Sequence, residues 1–93
     1  MILVGENNVI NGGSCSFIGN GKYNKINSSY SSILGGCSNT TDYNNTFILG
    51  SNITAEADGT TYVNRLNVSN IPTSSSGLPR GSVWSDGGVL KIV

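Results

Sequence analysis

Four short apolar segments recur along the first half of the chain at almost constant spacing. Each begins with an isoleucine, and these lie 16, 15 and 15 residues apart, at Ile2, Ile18, Ile33 and Ile48. An asparagine follows six residues after each of the first three, at Asn8, Asn24 and Asn39. A unit this short forms one coil that cannot bury its apolar side alone, so neighbouring coils must stack. The sequence therefore predicts a repeat fold whose internal ladder is formed by the four isoleucines.

The apolar segments have the length and the flanking residues of strands. Each is three or four residues long and is followed at once by glycine, asparagine or serine, which is typical of strands separated by turns. A coil of about 15 residues at about 3.3 Å per residue has a perimeter of at most about 50 Å, enough for two short strands and two turns. We expect an all-β fold in which residues 1–58 form a thin parallel β-roll.

The residues beside each ladder isoleucine are apolar as well. Because successive side chains on a strand point to opposite faces, these neighbours must face outwards. A single roll would leave this stripe in water, and soluble proteins seldom expose a contiguous apolar patch. We expect another subunit to cover the stripe; the alternative is that it packs under a loop of the same chain. The residues assigned to the subunit interface here are Phe17, Leu34, Phe47 and Leu49.

After Thr54 the repeat stops and the composition changes. Residues 59–68 alternate in a way that predicts a strand leaving the roll. Residues 69–81 contain both prolines together with serine and glycine, a composition that suits an extended linker. The chain therefore changes from the roll to a second, smaller module.

The pattern of the last segment, residues 82–93, predicts a β-hairpin. Its two-residue turn is formed by either Asp86-Gly87 or Gly87-Gly88. An isolated hairpin is barely stable in water, so this one requires a partner surface, most simply copies of itself around a symmetry axis. We expect these copies to meet through Trp84, Leu90 and Ile92.

Composition argues against several classes of function. Five acidic residues balance five basic residues, and no run of like charge occurs. The chain therefore lacks the concentrated positive charge that binding to nucleic acid or to an anionic membrane requires. The chain has no histidine, and neither a catalytic constellation nor a metal-ligand set can be drawn. Cys15 and Cys37 occupy different positions in the repeat, which favours free thiols over a disulfide. We expect no enzymatic activity, cofactor, metal, nucleic-acid partner or membrane insertion.

The unit Ser-x-Ile-x-x-Gly-x-x-Asn-x-Ile, present at residues 16–26 and with threonine last at residues 31–41, resembles the head repeats of trimeric autotransporter adhesins. It is also similar to repeats in phage and other viral fibre proteins. In that family each subunit is a left-handed parallel β-roll, and three rolls lie side by side about a threefold axis. The ending, residues 77–93, resembles the C-terminal segment of phage and large-virus tail or fibre proteins. The resemblance therefore implies a homotrimer with a C-terminal hairpin cap.

Together these features predict a structural module of a viral or phage fibre or tail, located in the virion and contacting a host receptor or glycan. The alternative is the head fragment of a bacterial adhesin at the cell surface, binding host matrix or glycan. An ice-binding solenoid fits less well, because the threonine pairs do not recur in register. The tyrosines either contact a glycan or pack at roll edges and between subunits, and they are Tyr23, Tyr30, Tyr43 and Tyr62. Met1 begins within a repeat, which indicates a segment of a longer protein.

Overall fold

The computed structural model describes all 93 residues and contains strands and turns but no helix. Seven strands wind into a parallel solenoid of about four turns, and the last two form a hairpin. The strands are β1 (Val9–Ile10), β2 (Phe17–Ile18), β3 (Lys25–Ile26), β4 (Ser32–Gly35), β5 (Thr40–Thr41), β6 (Phe47–Leu49), β7 (Thr61–Val63), β8 (Val83–Asp86) and β9 (Val89–Ile92).

The solenoid has two parallel sheets. Sheet A has the order β2-β4-β6-β7, and sheet B has the order β1-β3-β5. Each pairing joins equivalent positions of successive coils, as for Ile18 with Ile33 in sheet A and Ile26 with Thr41 in sheet B. The parallel repeat fold predicted from the isoleucine spacing is therefore confirmed.

The interior is a ladder of isoleucines supplied by both sheets. Ile18, Ile33 and Ile48 of sheet A are buried, and Ile26 joins the same cluster from sheet B. These four side chains and Ala55 are the buried apolar residues of the protein. Full burial of one isoleucine side chain contributes about 1.5 to 3 kcal/mol to stability. Ile2 bridges to Ile18 in register, but it lies at the end of the stack and is 40% exposed.

A second ladder, of asparagine side chains, lines one turn of the solenoid. Asn39 donates from its backbone N–H and from Nδ2 to Oδ1 of Asn24, at 3.1 and 3.0 Å. Asn24 makes the same pair of hydrogen bonds to Oδ1 of Asn8, at 3.0 and 3.1 Å. Each Nδ2 also donates to a glycine carbonyl of the following coil, Gly36 for Asn24 and Gly50 for Asn39. The amides thus join three successive coils, and no buried side-chain polar atom lacks a partner.

Hydroxyl groups play the same part at the opposite turn. Ser31 and Thr46 are fully buried, and Thr46 donates from its backbone N–H and its hydroxyl to Oγ of Ser31, at 3.3 and 3.1 Å. Ser31 in turn donates its backbone N–H to Oγ of Ser16 at 3.4 Å. Both turns of the roll are therefore closed by polar side chains that pair with the coil before them.

The turns place residues in the left-handed backbone region at the same two positions of successive coils. One column contains Asn7, Tyr23, Ser38 and Asn52, and the other contains Cys15, Tyr30, Asn45 and Gly59. Asparagine and glycine tolerate this conformation best, which explains their frequency in the sequence. At Gly21 the reason for glycine is close approach as well, because a Cβ there would overlap the carbonyl oxygen of Gly36.

The fourth coil is one residue shorter than the coil before it. Ile33 pairs with Ile48 but Gly35 pairs with Leu49, so Leu34 is the extra residue of a β-bulge. Ile53 consequently takes the next place in the asparagine column, where its backbone N–H donates to Oδ1 of Asn39 at 3.1 Å. Because isoleucine has no amide to pass on, the asparagine ladder ends there.

The strand predicted to leave the roll over residues 59–68 instead begins inside it. β7 pairs in parallel with β6 and adds a fourth strand to sheet A. Tyr62 takes the place next to Ile48, and its hydroxyl accepts the backbone N–H groups of Glu56 and Ala57, at 2.9 and 3.0 Å. Each strand of sheet A forms one rung of the stack. The half-buried ring of Tyr62 fills the position that isoleucine holds in the other rungs, so the roll continues through Val63.

The hairpin lies over residues 82–93 as predicted, and its turn is Gly87-Gly88. Asp86 pairs with Val89 across the two strands, which leaves the two glycines as the connecting residues. Both have positive φ, +60° and +94°, as a type I′ turn requires. Hydrogen bonds also tie the hairpin to the segment before it, including one from the backbone N–H of Ser85 to the carbonyl of Pro72 at 2.8 Å.

We expect Asn39→Ala to lower the free energy of unfolding by about 3 kcal/mol or more. It leaves the Gly50 carbonyl and the Ile53 N–H without partners and removes one of the two hydrogen bonds to Oδ1 of Asn24, and each unpaired group costs about 1 to 3 kcal/mol. Urea denaturation followed by circular dichroism, at one protein concentration, measures the change. Asn11→Ala, which loses one solvent-exposed hydrogen bond to Asn27 outside the ladder, is the control and should cost about 1 kcal/mol or less. Equal losses for both variants would contradict the ladder's role.

Candidate functional site: the apolar strip on sheet A

Sheet A carries apolar side chains on its outer face as well as on its inner face. Every inward residue is flanked by outward residues one position before and after it. Most of the apolar ones are solvent-exposed, and Phe17 is half-buried. We define the apolar strip as the outward apolar side chains of sheet A together with the two that flank Ile2, which bridges to Ile18 at the end of the sheet. The strip consists of Met1, Leu3, Phe17, Leu34, Phe47, Leu49 and Val63.

The side chains in the middle of the apolar strip are exposed to solvent. Leu34 is 60% exposed, Phe47 47% and Leu49 48%. No segment of the same chain covers these three side chains, which argues against packing under a loop. The fourth predicted interface residue, Phe17, lies on the adjacent rung of the same sheet. The structure therefore brings the four together on one surface.

No charged side chain interrupts the outer face of sheet A. Its remaining outward residues are small or polar, such as Ser32 and Thr61. Sheet B is different: Lys25 is exposed on it, and Nδ2 of Asn27 donates to Oδ1 of Asp42 at 2.6 Å. The two faces of the roll thus differ in chemistry, and only sheet A presents a continuous apolar surface.

A shallow depression lies in the centre of the apolar strip. It has a volume of about 240 Å³ and is lined by Ser32, Leu34, Phe47, Ile48 and Leu49. The depression arises from the residue types in one row that runs across the strands of sheet A. The register of the sheet aligns Phe17, Ser32, Phe47 and Thr61 in this row. Large and small side chains alternate in this row, so serine leaves a gap beside phenylalanine.

The hairpin adds a second apolar surface, although not the one predicted. Leu90 and Ile92 lie on one face with Val83, and all three are exposed. Trp84 lies on the opposite face, because it pairs with Lys91, whose Nζ is 5.7 Å from the centre of the indole ring. The structure therefore brings Leu90 and Ile92 together but separates them from Trp84.

Comparison with protein-family models, with curated proteins and with solved structures gives no match. Cys15 and Cys37 are both free and exposed, and no group of three potential metal ligands occurs. The structure holds no helix that could span a membrane.

The four tyrosines divide into two groups. Tyr62 is structural, since its ring is half-buried and its hydroxyl accepts two backbone hydrogen bonds. Tyr23, Tyr30 and Tyr43 are exposed at the turns. Tyr23 and Tyr30 also occupy the left-handed region, at φ of +56° and +55°, where a bulky side chain is unfavourable.

We expect Tyr30→Asn to raise the free energy of unfolding by about 1 kcal/mol, because asparagine relieves the left-handed conformation at this position. Asn45 already holds the equivalent position of the next coil, at φ of +58°. Urea denaturation measures the change. Tyr43→Asn is the matched control, since Tyr43 does not have positive φ, and it should change stability by less than about 0.5 kcal/mol. A loss of stability in Tyr30→Asn would show that the ring makes a compensating contact.

Proposed function

We propose that this chain is a structural module of a viral or phage fibre or tail in which three copies associate side by side through the apolar strip. The observation that carries the proposal is the exposure of Leu34, Phe47 and Leu49 on an uncharged face of an otherwise satisfied roll. A structure in which every buried side-chain nitrogen and oxygen is hydrogen-bonded, but in which these apolar side chains remain in water, has the properties of one part of an assembly.

The magnitude of the effect indicates that the apolar strip does not act alone. Burying the exposed part of each of its seven side chains contributes on the order of 1 kcal/mol, or about 7 kcal/mol for each copy. Association of each subunit costs about 4 to 15 kcal/mol in lost translational and rotational freedom. The strip alone is therefore marginal, and a second contact between the copies is needed.

The hairpin supplies that second contact. Its face with Val83, Leu90 and Ile92 is uncharged and exposed, so copies of it meet without placing like charges together. In the proposed trimer one threefold axis passes beside both surfaces, so that three hairpins meet at the same time as three apolar strips. The polar face, where Lys91 Nζ lies 2.6 Å from Asp86, then points to solvent.

In this proposal the module acts by rigidity and by repetition. The hydrogen-bonded ladders make each roll stiff, and a trimer presents three identical outer surfaces. A contact with a host receptor or glycan that is weak for one surface becomes effective when several bind together. The location would be the virion.

The second candidate is the head fragment of a bacterial trimeric adhesin that binds host matrix or glycan. The observation that favours it is the exposure of Tyr23 and Tyr30 in a backbone conformation that disfavours them. Strained positions cluster at binding sites, and tyrosine offers an apolar ring together with a hydroxyl. Neighbouring capsid or tail genes would support the fibre, whereas a membrane-anchor domain in the parent gene would support the adhesin.

Light scattering tests the assembly directly. We expect a mass near three times the 9.7 kDa of one chain. Leu34→Lys combined with Leu49→Lys should reduce the mass to that of one chain, because two charges in each copy would be buried without partners.

Val9→Lys is the matched control, since Val9 is an exposed apolar residue on the outer face of sheet B. It should leave the trimer intact. Removal of residues 82–93 should also split the trimer by taking away the hairpin contact. A wild-type mass of one chain, or a trimer that survives both the lysine pair and the truncation, would refute the proposed assembly.

A further inference from the structure

We infer that the depression on sheet A is a socket that receives the phenyl ring of Phe47 from a second copy of this chain. The inference rests on the proposed function, since it assigns a role to one part of the surface through which the copies would meet. It adds what the apolar strip alone does not specify: which side chain enters which site and why the copies hold a fixed register.

The size and lining of the depression suit an aromatic ring. Four of its five lining residues are apolar, and its volume is about 240 Å³. An apolar cavity of about 150 Å³ is large enough to bind benzene. A phenyl ring therefore fits, and the single polar lining residue, Ser32, is small enough to admit it.

The height of the depression identifies the occupant. Ser32 and Leu34 belong to one rung of sheet A, and Phe47 and Leu49 belong to the next. In the proposed side-by-side trimer the threefold axis is parallel to the axis of the roll. Rotation about it keeps every rung at its own height, so a neighbouring copy presents the same two rungs at the level of the depression. Phe47 is the only aromatic residue among the outward residues of those rungs, and it is 47% exposed.

The alternation along the row gives the arrangement its register. Phe47 lies between Ser32 on one rung and Thr61 on the other, so each copy offers one projecting ring and one adjacent gap. No charged residue lies among the outward residues of these rungs, so insertion of the ring buries no charge. A slip by one rung towards β7 would place the ring at the level of Thr61 and Val63, outside the depression.

The test is to fill the depression with a side chain of the same copy. We expect Ser32→Phe to abolish association or to raise the concentration for half-dissociation at least tenfold, although the substitution adds apolar surface. Thr61→Phe adds the same ring to the same row, two rungs away, and should leave the mass unchanged. Light scattering over a dilution series measures both, and circular dichroism at the same concentrations shows whether each variant keeps its β-structure.

Two further variants identify the inserted ring. Phe47→Ser should weaken association about as much as Ser32→Phe, whereas Phe17→Ser, two rungs from Phe47, should weaken it much less. Trimers that persist in Ser32→Phe would overturn the socket while leaving the proposed function intact. Equal losses for Ser32→Phe and Thr61→Phe would also overturn it, because crowding would then be unspecific. A wild-type chain that is monomeric at every concentration would overturn the socket and the proposed assembly together.

Discussion

Hydrogen bonding from each coil to the next is the interaction on which this structure depends. The roll is so narrow that only one layer of side chains separates its two sheets, and the four buried isoleucines fill much of that layer. The space left at the turns is occupied by polar side chains, which must find partners without water. They do so by pairing with their own equivalents one coil away, as Asn39 does with Asn24. Pairing of like with like is possible because an amide both donates and accepts.

The sequence was sufficient to predict the fold but not the details of its end. The period of 15 to 16 residues and the repeated isoleucines required stacked coils, and the structure has them. The shortened fourth coil was hidden, because one missing residue moves Ile53 out of the expected spacing. Tyr62 was hidden for a different reason: a tyrosine in an alternating segment gives no sign that its hydroxyl will accept two backbone N–H groups. The change from isoleucine to tyrosine conceals the continuation of the ladder.

The candidate site shows a similar division. Simple alternation along the strands was enough to place Leu34, Phe47 and Leu49 on the outside. The cross-strand partner of Trp84 depended on the position of the hairpin turn, which two overlapping dipeptides left open. With Gly87-Gly88 as the turn, Trp84 pairs with Lys91, and strand alternation places it on the face opposite Leu90 and Ile92. The depression beside Ser32 required the alignment of rungs as well, since no single repeat contains both the gap and the ring that borders it.

The end of the asparagine ladder at Ile53 gives the roll a direction. At one end of the column Asn8 accepts from Asn24, and at the other end Ile53 donates its backbone N–H to Asn39 but has no side-chain acceptor for a further coil. A duplicated unit that ends in asparagine can therefore join the first end and continue the amide column, but it cannot follow Ile53 without breaking it. Each such duplication would lengthen the roll by about 4.8 Å, the spacing of neighbouring strands. In a protein of this design, evolution can therefore adjust length by copying units anywhere in the column before Ile53.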